Sequence, residues 1–179
     1  MTRSVHGDDG GRRSDSGEPP DPTEHVEGEA TVLLSNRQDV GVDEAALGAL
    51  AIATLRGEGV YRFELSVSLV DAGEMSDLHQ HYLGEPGPTD VLSFPLDDED
   101  GDGVRLLGDV VICPAYAARQ GGDLQSEIRL LLVHGILHLL GHDHEDDEER
   151  AEMWALQERY SGVAVDAEGV GRAASEAGR

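Results

Sequence analysis

The chain contains no lysine. Its 13 basic residues are all arginine, set against 37 aspartates and glutamates, for a formal charge of −24 over 179 residues. Such a surface lacks the basic face that nucleic-acid binders ordinarily present. There is a single cysteine, Cys113, which excludes an intrachain disulfide and fits a reducing compartment. Residues 1–28 carry no apolar stretch of the kind a secretory signal requires. The longest apolar run, 130–140, is too short to span a bilayer and is broken by two histidines. Internal repeats are also missing. Together these absences exclude a disulfide scaffold, a membrane protein and a repeat array, and they point to a soluble cytoplasmic protein.

Composition divides what is present into three parts. Residues 1–28 and 161–179 are rich in Gly, Ser and acid without periodicity and read as disordered tails, leaving 29–160 as one domain. Within it, "ATVLLS" (30–35) is a short apolar run suited to a strand. Asp43 is placed to cap a helix ending near Gly57, with Val42 and Leu47 as its hydrophobic staple. "YRFELSVSLV" (61–70) alternates, with Tyr61, Phe63, Leu65, Val67 and Leu69 on one face, and predicts a strand. A short helix is expected over 75–83, then strands at 89–95 and 104–113 joined by the acidic turn "LDDEDGDG". Pro114 opens a short helix to about Gln120, and Asp123 caps a longer one reaching Leu140. A last helix starts at Asp146, with Glu149 completing a capping-box-like pair, and ends near Tyr160. The order predicts an α+β fold, a mixed sheet of about four strands packed with helices around a central, buried helix.

That central helix poses the problem. In "HGILHLLGHDH" (134–144) stand four of the eight histidines in the chain. His134 and His138 are one helical turn apart and project from one face. Gly141 permits a left-handed turn that ends the helix and brings a third imidazole back, His144 in preference to its rival His142. The alternative reading is ordinary core histidine, but unpaired imidazoles in so apolar a helix carry a desolvation cost that ligation removes. Three neutral imidazoles with one open position describe a catalytic zinc site, other transition metals being possible in vitro. The spacing matches that of metzincin proteases except that Gly135 stands where they place the general-base Glu, which disfavours a peptidase.

The same segment resembles the HGxLHLxGxDH signature of the YbeY family, bacterial single-zinc endoribonucleases that mature ribosomal RNA. "GPTDVLSFP" (87–95) is similar to that family's PTDVLSFP block, and "GDVVIC" (108–113) to its GDIVIS strand. The resemblance covers roughly residues 30–160. It implies His134, His138 and His144 as ligands of one zinc ion per chain, and a single-strand-specific endoribonuclease acting at the 3′ end of 16S rRNA and in ribosome quality control. Its implied partners are ribosomal RNA and the small ribosomal subunit. One departure is plain: the family often carries an Arg, thought to handle phosphate, where this chain has Leu83 after Tyr82. No residue is assigned as catalytic base or nucleophile. The alternatives are a zinc-dependent hydrolase of another substrate, or a non-catalytic ribosome-assembly protein with a structural zinc.

Other residues carry weaker signals. Asp90, Ser93 and Asp109 lie in the matched strands, where local capping competes with a functional role, and the Thr89 hydroxyl is a turn stabiliser before it is a phosphate contact. Asp143 is read either as orienting a ligand histidine or, being next to His144 in sequence, as facing water. His79 and His81 are expected to face solvent, "EDDEE" (145–149) to be the acidic first turn of a helix, and Met153, Trp154 and Tyr160 to pack in the core rather than stack on bases. Residues 29–160 hold 27 acids and 8 arginines, so the excess of negative charge belongs to the folded body. This predicts adaptation to molar intracellular salt, where repulsion is screened and counterion release contributes little to RNA binding. Biased codon usage would also remove lysine.

Overall fold

The computed structural model describes residues 29–143 and 145–165, apart from the side chain of Asp97. The expected tail 1–28, most of the expected tail 161–179, and His144 lie outside the described residues.

A strand with every second residue apolar buries one face, and β2 (Phe63–Val70) does so with Phe63, Leu65, Val67 and Leu69. Tyr61, expected at the head of that face, instead precedes the strand and is 50% exposed. The ladder explains this: Phe63 is the first β2 residue with partners, Ala30 on one side and Arg105 on the other. β1 (Ala30–Arg37) and β4 (Arg105–Ile112) flank β2 in parallel, and β3 (Val91–Glu99) runs antiparallel to β4 at the far edge. The sheet is therefore mixed and four-stranded, in the order β1-β2-β4-β3.

β3 continues beyond its expected end at Pro95 because Asp98 and Glu99 resume pairing with Leu106 and Arg105 after an irregularity. The acidic turn is thus shorter than predicted and centres on Asp100, whose carboxylate accepts the N–H groups of Asp102 and Val104. Within "GDVVIC", Gly108 has φ +116°, and a Cβ there would lie 2.1 Å from the Phe94 carbonyl oxygen. That glycine lets the two backbones approach, a structural reason for the residue type.

Each main helix starts where the side chain of an aspartate accepts a backbone N–H of the first turn. α1 (Glu44–Gly57) is capped by Asp43, α4 (Leu124–Leu139) by Asp123, and α5 (Asp147–Ser161) by Asp146, which accepts from Glu148 and Glu149. α2 (Ala72–Leu83) starts earlier than expected because Asp71 supplies a cap that the apolar pattern does not reveal. α3 (Pro114–Ala117) continues through a 3-10 turn to Gln120. The domain boundary was expected after 160; α5 runs to a fully buried Ser161, and the Val165 N–H reaches the Glu158 carboxylate at 2.8 Å.

α4 is the centre of the packing. Ile128, Leu132 and Ile136 join the main core with residues of β2 and β4, while Val133 and Leu137 pack with Met153 of α5. A smaller cluster on Val70, Met75, Leu92, Val111 and Cys113 fastens α2 to β3 and β4. Among the described residues no helix is long and apolar enough to cross a membrane.

Candidate metal centre

Along the C-terminal half of α4, Val133, Gly135, Ile136, Leu137 and Leu139 are buried, whereas His134 and His138 are only half-buried. Within this half of the helix the two imidazoles are the more open positions. Their ring centroids are 4.5 Å apart with planes at 78°. His134 Nδ1 donates to the Oε1 of Gln157 on α5 at 2.8 Å, and Gln157 is only 1% exposed. A buried carbonyl oxygen at Nδ1 fixes the neutral tautomer in which Nε2 carries the lone pair, the form a metal requires. On this ground the His134 imidazole is suited to ligate a divalent cation.

The helix ends as its sequence demands. Gly141 takes φ +92°, its N–H bonds the His138 carbonyl at 3.0 Å, and the His142 N–H bonds that of Leu137 at 3.0 Å. This paired closure reverses the chain immediately after the two histidines. His142 is drawn elsewhere: its Nε2 lies 3.1 Å from Glu58 Oε2, while Glu58 Oε1 accepts the Tyr160 hydroxyl at 2.6 Å. The expected third ligand, His144, lies outside the described residues. Among the described residues no group of three His, Cys, Asp or Glu is arranged to hold a metal, so what the fold brings together is the pair His134 and His138.

Gly135, between them in sequence, faces the sheet. A Cβ there would fall 2.6 Å from Val110 Cγ1 and 3.1 Å from Ser93 Oγ, and the Gly135 carbonyl accepts the Ser93 hydroxyl at 3.3 Å. A carboxylate at this position would collide with β4, so the helix–sheet contact itself excludes the peptidase general base.

The weaker candidates resolve into local roles. Asp90 accepts the Val91 N–H at 2.8 Å and the Thr89 hydroxyl at 3.3 Å, a local turn arrangement. Asp109 is exposed on β4, as are Asp143 and His81 in their own segments. His79, expected in solvent, is not there: its side chain is 13% exposed, with Nδ1 2.8 Å from the Gly87 carbonyl and Nε2 3.3 Å from Glu85. The loop after α2 folds back over the ring, which no pattern in the helix itself announces. Met153 is buried and Trp154 half-buried, and Tyr160 is half-buried with its hydroxyl on Glu58. Burial pushes the Cys113 thiol up, leaving it protonated and inert.

Three polar residues of the surrounding structure escape sequence reasoning. Gln157 stands on the apolar stripe of α5 one turn from Met153, and a lone amide on such a stripe was its only signal. Glu58 closes α1 with no motif around it. Glu127 sits buried in the first turn of α4, where burial first and then the negative charge of Asp90 hold its carboxyl above the usual carboxylate range.

α4 thus carries two half-buried imidazoles, one helical turn apart, at the centre of an α+β domain. Residues 34–162 match the profile described as "Endoribonuclease YbeY". The chain is 50% identical over 138 residues to the Endoribonuclease YbeY of Thermobifida fusca, covering 71% of this chain and 89% of that one. To the protein of the same name from Acidothermus cellulolyticus it is 47% identical over 143 residues, covering 71% and 87%. The solution structure of TM1509 from Thermotoga maritima superposes with a TM-score of 0.50 at 28% identity, over 73% of this chain and 87% of that one. The chain belongs to the YbeY endoribonuclease family.

Proposed function

We propose that this protein is a zinc-dependent, single-strand-specific endoribonuclease of the cytoplasm that matures ribosomal RNA at the 3′ end of 16S rRNA and works on the small ribosomal subunit. His134, His138 and His144 hold one zinc ion per chain in this reading. The observation that carries it is the His134–Gln157 hydrogen bond beside the His138 ring, which prepares an imidazole nitrogen at a half-buried position of α4. The relatives, each an Endoribonuclease YbeY by name, supply the reaction class. When bound, zinc supplies Lewis-acid polarisation of a phosphoryl oxygen or of the attacking water. The protein's own contribution is positional. Gln157 holds the His134 tautomer, and the Ser93–Gly135 contact seats α4 on the sheet edge.

The test is purified protein against precursor ribosomal RNA, with and without chelator, beside a His138→Ala control, together with metal analysis. Cleavage of single-stranded RNA that stops with chelator and in the variant, at about one zinc per chain, is expected. Cleavage indifferent to chelator, or full metal retention in both His134→Ala and His138→Ala, would refute the site.

A further inference from the structure

Among the described residues five large apolar side chains stay exposed, three of them being Tyr82 and Leu83 at the end of α2, at 59%, and Leu96 on β3, at 60%. Tyr82 is costly to leave in water in a chain with one Trp, four Tyr and two Phe. Nor is its ring loose. It lies against Phe94 of β3, centroids 4.8 Å apart and planes at 55°, and His81 meets it edge-on at 4.7 Å and 86°. β3 is an edge strand. Ser93 points to the histidine-bearing helix, donating to the Gly135 carbonyl, and the next residue, Phe94, turns to the opposite face. The histidine-bearing helix α4 therefore packs on one face of this edge strand and the aromatic rings lie on the other.

We infer that Tyr82, held by Phe94 and His81, is a stacking step for an unpaired nucleobase of the RNA substrate. This rests on the ribonuclease reading and deepens it. Charge decides in favour of a base rather than a phosphate as the group bound here. Between residues 29 and 160 there are 27 acids and 8 arginines, and the residue beside Tyr82 is the uncharged Leu83. A base presents a neutral face, and stacking on an aromatic ring is tolerant of sequence and nearly independent of salt, unlike phosphate contact. Bases in a duplex are stacked on each other and have no face to offer, so the step also selects single strands.

The experiment uses the full, metal-loaded chain and a short single-stranded RNA with a non-cleavable backbone carrying 2-aminopurine, so that binding is read without cleavage. The fluorophore is expected to be quenched on binding. Tyr82→Ala should weaken binding about tenfold and remove the quenching, whereas Tyr82→Trp keeps both. Tyr61→Ala removes a tyrosine of similar exposure ahead of β2 and should change neither. Unaltered binding and quenching in Tyr82→Ala would overturn the stacking step and leave the ribonuclease reading standing. A wild-type chain that binds no RNA would overturn both.

Discussion

Gln157 Oε1 lies 2.8 Å from His134 Nδ1, and it reaches that nitrogen from a different helix, with its own side chain buried beneath α4. With Nδ1 engaged by the amide, ligation of a metal by His134 would use Nε2. A metal bound there would feel any change in the amide although the amide never touches it.

The first prediction follows from that pair. Gln157→Leu keeps the volume and removes the acceptor, and should lower zinc affinity by roughly 10- to 100-fold in a chelator competition. Gln157→Glu retains an acceptor and should bind zinc at least as well as the parent. Equal affinity in the Leu variant would show that the hydrogen bond does not prepare the imidazole.

Gly135→Ala should destabilise the fold by about 1–3 kcal/mol, because the added methyl overlaps Val110 on the sheet. Urea unfolding is the measurement. A companion change, Val110→Ala, should restore part of the loss by vacating the space; no rescue would mean the clash is relieved elsewhere.

Glu127 sets a pH dependence. Its folded pKa is raised by burial and then by Asp90, so the folded state holds a proton more tightly than the unfolded chain. Stability from this group is present below the unfolded carboxylate pKa and is lost as pH rises through the folded one. Glu127→Gln should therefore raise the thermal midpoint at neutral pH and change it little at pH about 4, near the reference value for a free glutamate. A variant less stable than the parent at neutral pH would contradict the sign.

Salt should stabilise the parent. With 27 acids and 8 arginines in residues 29–160, self-repulsion opposes compaction in dilute buffer. At about 1 M salt the screening length falls to roughly 3 Å and the repulsion is largely removed. The thermal midpoint should climb from low to molar KCl. A midpoint that is highest in dilute buffer would show that the acids are not in mutual conflict.

By itself the sequence determined the local elements and the identity of the central helix. Period-two alternation named the buried face of β2, Asp43, Asp123 and Asp146 named three helix starts, and Gly141 named the turn that ends α4. These are legible because capping, alternation and left-handed glycine depend on neighbours in the chain. Two ligand candidates were legible for the same reason, since His134 and His138 are a helical turn apart whatever surrounds them. Tertiary structure decided everything that depends on residues distant in sequence. It set Gln157 on His134 and took His142 to Glu58. It also turned His79 under the loop after α2, and carried β3 through an acidic stretch that reads as a turn because β4 had partners to offer. Hydrogen-bond partners and burial are properties of what packs against a residue, and no local pattern encodes them. The glycines at 108 and 135 show the division clearly: their positions are plain in the sequence, but their reasons, a carbonyl of Phe94 and the methyls of Val110, exist only once the strands and α4 have met.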